Sequence, residues 1–77
     1  MKSKMNYVEF SKKILELLAE SLKSLKCSEG MIYSVFILLR TTEQRYLLLE
    51  WIVDECEKRT LKEHEIMEQA LKMSKKR

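Results

Sequence analysis

The side chains that most often carry chemistry are scarce in this chain. Its 77 residues hold one His, two Cys and a single Gly. His64 stands between Glu63 and Glu65, with Glu68 four residues on. On a helix His64 and Glu68 share a face and offer a metal two ligands, which do not make a site. Adding Cys56 needs a three-dimensional coincidence that the spacing does not suggest. Cys27 with His64 is the nucleophile-and-base combination on offer. The expected state of His64 is a solvated imidazole on a polar helix face. Gly30 alone cannot build a Gly-rich phosphate loop. The chain therefore reads as a non-enzyme with no catalytic residue, no metal site and no cofactor.

Cys27 and Cys56 read as small apolar side chains of a core rather than as a redox pair. Met1-Lys2-Ser3-Lys4 has a charged start, but no uninterrupted apolar region follows it as a signal peptide requires. No stretch reaches the roughly 18 apolar residues of a membrane span. The expected location is the cytoplasm, where thiols stay reduced, with no membrane partner.

The elements that must position these residues follow from composition and periodicity. Apolar residues make up 45% of the chain, and Pro is absent. So few turn-forming residues exclude a sandwich, a barrel or a dinucleotide-binding unit, and the apolar content excludes disorder. An all-α bundle of about four helices remains, a single domain over 1–77 with flexible ends at 1–5 and 75–77. The first helix is expected from about Asn6 to Lys26. It carries two apolar seams, one through Val8, Leu15, Leu18, Leu22 and Leu25 and one through Tyr7, Phe10, Ile14 and Leu17. Gly30 lies where that helix must end, and Ser28 can cap the next. The second helix, Met31 to Arg40, is apolar at every position but Ser34 before its closing Arg40. A helix apolar all round must be buried all round, so it is expected at the centre, between the first and the third.

Thr41-Thr42-Glu43-Gln44 predicts a capped start for a third helix, Glu43 to about Arg59. Leu48, Leu49, Ile52 and Cys56 fall on its inward face. Thr60-Leu61-Lys62-Glu63 predicts a capping box for a fourth, Leu61 to about Ser74, burying Leu61, Ile66, Met67, Ala70, Leu71 and Met73. Short turns predict mostly antiparallel neighbours. A chain of this length buries only about 60% of its unfolded surface. One fully buried helix and one two-seamed helix ask for more, so a dimer or a groove for a partner helix is expected to cover the surplus.

The net charge of +3 averages unlike regions: +2 over 1–30, −1 over 31–59 and +2 over 60–77. The third helix concentrates acid, with Glu43, Glu50, Asp54 and Glu57 opposite its inward face. Leu47 and Trp51 border that stripe on one flank, Tyr46 and Val53 on the other. Aromatic anchors beside charge are features of interfaces, so Tyr46, Leu47, Glu50, Trp51, Asp54 and Glu57 form the candidate partner-binding set. The competing class is DNA recognition. Residues 60–74 are similar to the first half of a helix-turn-helix, with no recognition helix following them. Lys72, Lys75, Lys76 and Arg77 would supply its basic surface. With the turn at Thr41–Thr42 instead, the third helix would read DNA, and its carboxylates would repel phosphate.

The succession Ser28-Glu29-Gly30, an apolar helix, Leu39 to Arg45, an apolar-acidic helix and Thr60 to Glu63 resembles small helical proteins carried by phages and mobile elements of Gram-positive bacteria. The resemblance covers roughly residues 28–74 and lies in pattern alone, so no functional residue carries over. It implies an accessory protein that binds and modulates a host or phage protein. Together these readings predict a small cytoplasmic protein-binding module that self-associates, with a DNA-binding regulator as the alternative.

Overall fold

Between Asn6 and Lys75, the residues that the computed structural model describes, the backbone forms four α-helices. They are α1 (Tyr7–Ser24), α2 (Glu29–Leu38), α3 (Thr42–Cys56) and α4 (Glu63–Ser74), with no strand among the described residues. The chain is thus an all-α bundle.

Local signals start each helix. The Asn6 side chain accepts from Glu9 N–H at 2.9 Å, and Ser28 Oγ accepts from Met31 N–H at 3.2 Å. α3 begins with a reciprocal box. Thr41 Oγ1 accepts from Gln44 N–H at 3.1 Å, while Gln44 Oε1 accepts from Thr41 N–H at 3.2 Å. These bonds satisfy amide donors that the first turn leaves without a carbonyl. α4 departs from expectation: Thr60 does not cap it, and Leu61 is buried ahead of the helix. The helix opens at Glu63 instead, with Glu65 Oε1 accepting from Lys62 N–H at 2.9 Å.

α1 also ends differently from its sequence reading. Lys26, not Gly30, takes the left-handed conformation, with φ 66°. Cys27 N–H reaches Leu22 O at 3.1 Å and Lys26 N–H reaches Lys23 O at 2.9 Å, the paired bonds of a Schellman end. Gly30 sits inside the first turn of α2, where an added Cβ would meet nothing within 4 Å.

The core is Ile14, Leu18 and Leu22 of α1, Val35 and Leu39 from α2 and its end, Leu48 and Ile52 of α3, and Leu61, Ile66 and Ala70 around α4. One stripe of α1 is buried rather than two seams; Tyr7, Val8, Phe10, Leu15 and Leu17 stay exposed. The second helix is not enclosed. Val35 is its one fully buried member, and Tyr33 and Ile37 are 71% and 60% exposed. It packs on α4 and α1, while α3 takes the position between α1 and α4. Leu71 is exposed, Cys56 is exposed and Cys27 is half-buried, so neither cysteine belongs to the fully buried core. A chain this short has too little interior for every apolar side chain it carries.

α1 packs most extensively on α3, and α4 packs on α2 and on α3 to a similar extent. α1 and α3 run in the same direction, and so do α2 and α4. Ser11 pairs its hydroxyl with that of buried Thr42 near the starts of α1 and α3, and Ser21, Leu25, Ile52 and Cys56 meet around a small hollow at their ends. Ser28 N–H donates to Glu63 Oε2 at 2.6 Å, joining the starts of α2 and α4.

Candidate functional site

Three bonds fix the beginning of α3 and hence the direction of its outer face. The Gln44 amide, already part of the Thr41 box, also accepts from Arg40 N–H at 3.0 Å. Arg45 reaches back to the end of α2, donating from Nε to Leu39 O at 2.7 Å and from a terminal nitrogen to Phe36 O at 3.2 Å. Its guanidinium lies 5.2 Å from the Phe36 ring centroid, adding a cation–π contact. Arg45 thus supplies the positive charge that the last turn of α2 lacks. Inside, Leu48 and Ile52 anchor α3 to the core.

With that side fixed, a period of about 3.6 residues turns Glu43, Glu50, Asp54 and Glu57 outward together. All four are exposed. Over Glu50, Asp54 and Glu57, but not Glu43, opens a hollow of about 880 Å³, bounded on its far side by Gln69, Lys72 and Met73 of α4. Tyr46, Leu47, Glu50, Trp51, Asp54 and Glu57 all line it. The six residues of the candidate partner-binding set thus share one surface. Leu49, Val53, Gln69 and Met73 join them, as does Lys72, which the sequence assigns to a nucleic-acid surface. Val53 already bordered the acidic stripe on the helical wheel, which was the available signal. The α4 residues carry none, because only the packing of α4 against α3 brings them across.

Apolar and acidic character are interleaved. Leu47 and Val53 are 51% and 53% exposed, and Trp51 is half-buried, packed against the core while lining the hollow. Tyr46 meets Phe10 of α1 with ring centroids 6.3 Å apart, and its hydroxyl donates to Glu50 Oε2 at 3.0 Å. That hydrogen bond, with the carboxylate's charge, holds the phenol pKa above its ordinary value. Asp54 pairs with Lys58 at 3.3 Å. The Glu57 carboxylate makes no hydrogen bond or ion pair among the described residues. Three carboxylates thus face one ammonium, that of Lys72, in a chain whose net charge is positive. Below the hollow, Arg59 ties α3 to α4, donating to Glu55 at 3.1 Å and to Glu65 at 2.7 Å.

The other candidate residues do not converge. His64 is exposed beside Glu63, whose carboxylate is taken by Ser28 N–H. Among the described residues no three His, Cys, Asp or Glu side chains come together to hold a metal. Burial raises the Cys27 pKa above its ordinary value, and Glu63 adds to the shift, which disfavours the thiolate. Lys75 is exposed just past the end of α4, and Lys76 and Arg77, like residues 1–5, lie outside the described residues. No described helix is long and apolar enough to cross a membrane. Comparison with protein-family models, with curated proteins and with solved structures finds no match to this chain.

Proposed function

We propose that this chain is a non-enzymatic protein-binding module that captures its partner in the hollow between α3 and α4. The observation that carries the reading is the convergence of Tyr46, Leu47, Trp51 and Val53 with Glu50, Asp54 and Glu57 on one surface. An exposed aromatic and aliphatic patch rimmed by charge has the composition of an interface rather than of an inert face. The same carboxylates argue against a phosphate backbone as the ligand of α3. The resemblance over residues 28–74 supports an accessory role in a phage or mobile element, acting in the cytoplasm, where Cys27 and Cys56 would stay reduced.

Immobilised protein and a Leu47→Ser/Val53→Ser double variant, offered the same host extract, test the reading. Both substituted positions are exposed, so helicity is expected to survive while the captured protein is lost. Equal capture by both would remove the hollow as the binding site.

Self-association is a second reading, favoured by the outer face of α2. Residues 30–39 carry no charge, and Tyr33 and Ile37 project from them one turn apart. A second copy presenting the same uncharged face would cover them. Light scattering at micromolar concentration giving a mass near 9.3 kDa would remove this reading.

A further inference from the structure

The spacing and sign of charge in the α3–α4 hollow specify its occupant more closely than a protein of any kind. We propose that the hollow receives a basic amphipathic helix of the partner. Its apolar side chains would seat on Leu47 and Trp51, on the α4 flank of the acidic stripe, and its Lys or Arg side chains over Glu50, Asp54 and Glu57 beside them. The inference rests on the protein-binding reading of the same surface and adds the conformation and charge of the bound segment.

Charge complementarity is the first argument. The chain as a whole is +3, yet three carboxylates and one ammonium line this hollow. A basic segment is drawn to this face and turned away from the lysines elsewhere, which sets both encounter and orientation. Those carboxylates are available. The Glu57 carboxylate has no partner among the described residues, Glu50 accepts only from the Tyr46 phenol, and the Asp54–Lys58 pair is more than half exposed at both ends. An exposed pair of this kind exchanges readily for a partner's cation.

Spacing is the second argument. Glu50, Asp54 and Glu57 follow one another at steps of four and three along α3, so their Cα atoms rise about 6 Å and then about 4.5 Å. A helix laid along α3 presents its own side chains with the same rise at i, i+4 and i+7. An extended segment presents same-face side chains at about 6.6 Å intervals and loses register over the stripe. The bound segment also lacks a sheet edge to join, because the described residues contain no strand. Helix in groove is the mode that fits, with Trp51 as the aromatic anchor.

Trp51 is the only tryptophan and lines the hollow, so its emission reads occupancy directly. The probes are two synthetic peptides of about four helical turns, with Leu at i, i+3, i+4 and i+7. One carries Lys on its remaining face and the other Glu. The Lys peptide is expected to change Trp51 emission saturably and to bind more weakly as salt rises. Against the E50Q/D54N/E57Q variant its affinity should fall at least about tenfold. The Glu peptide should leave the emission unchanged. The three substituted side chains are exposed, and circular dichroism of the variant checks that its helices persist. Equal binding of the Lys peptide to wild type and variant, equal binding of both peptides, or binding of neither overturns the proposal. Extract capture that depends on Leu47 and Val53 while neither peptide binds would retain the module and discard the basic helix. Loss of both would discard both.

Discussion

α2 and α3 each turn apolar side chains toward solvent, but they do so in different company. On α2, Tyr33 and Ile37 stand on a segment without a single charge. On α3, Tyr46, Leu47 and Val53 flank a row of carboxylates. The inward sides are alike: Val35 and Leu39 in one case, Leu48 and Ile52 in the other, all buried. Hydrophobic content therefore does not rank the two helices by burial. The much more apolar α2 lies at the margin, and the charge-rich α3 lies between α1 and α4. What distinguishes them is the chemistry each outer face can discriminate. An uncharged face is suited to a copy of itself, whereas a face with ordered charge selects a partner by sign and spacing.

The largest test of that contrast sets inside against outside. Leu48→Ala should cost about 2–5 kcal/mol in urea unfolding, as a buried Leu truncation does. Ile37→Ala on α2 and Leu47→Ala on α3 should each stay within about 0.5 kcal/mol. A cost at Ile37 approaching that at Leu48 would mean that the outer face of α2 is covered in solution.

A second test asks whether α2 depends on α3. Arg45→Ala removes two hydrogen bonds to the last carbonyls of α2 and the contact over Phe36. The expected loss is about 1–3 kcal/mol. It should be accompanied by faster amide exchange near the end of α2. No change in that exchange would show that α2 holds its own end.

Backbone substitutions should act in the opposite direction. Gly30→Ala places a methyl in open space in a helical turn and should stabilise the protein by about 0.4–1 kcal/mol. Lys26→Gly relieves a side chain from positive φ and should also stabilise, through the end of α1. Thermal midpoints measure both. A fall on Gly30→Ala would show that a second molecule approaches this face closely, which would favour self-association.

The smallest expected effect lies below the hollow. The backbone N–H of Lys62 and the guanidinium of Arg59 hold the Glu65 carboxyl below its ordinary value of 4.5. A depressed carboxyl pKa stabilises the fold above the unfolded value, and the contribution fades as pH falls through the folded value. Glu65→Gln should therefore be less stable than wild type at pH 7, with the two converging as pH falls below the carboxyl's ordinary value of 4.5. A gap that persists in acid would assign the difference to packing.

Helix existence was legible because the signals are local. Ser28 and the Thr41–Gln44 pair act within a single turn, so residue types alone announce them. The acidic face of α3 was legible for a related reason: once Leu48 and Ile52 point inward, periodicity decides where Glu50, Asp54 and Glu57 go. Quantities shared across the molecule were not legible. The run from Met31 to Leu39 shows what α2 would bury, but not how much interior four short helices can provide. Gly30 drew the end of α1 to itself on preference, while the fold put Lys26 in the left-handed position. Gln69 and Met73 entered the hollow through tertiary packing, which no window of sequence contains.

The pairing of alternate helices, α1 with α3 and α2 with α4, bears on how the fold is reached. α3 and α4 pack directly on each other, but α1 and α2 touch little and make no finished unit to which the rest is added. When the chain has been formed only as far as Leu39, α1 awaits Thr42, Leu48 and Ile52, and α2 awaits Leu61 and Ile66. Each of those two interfaces must close across an intervening helix, so its ordering cost falls due before its contacts form. The two closures interlock at the Arg45–Leu39 and Arg59–Glu65 junctions. The four helices should consequently appear together and vanish together, in one cooperative step.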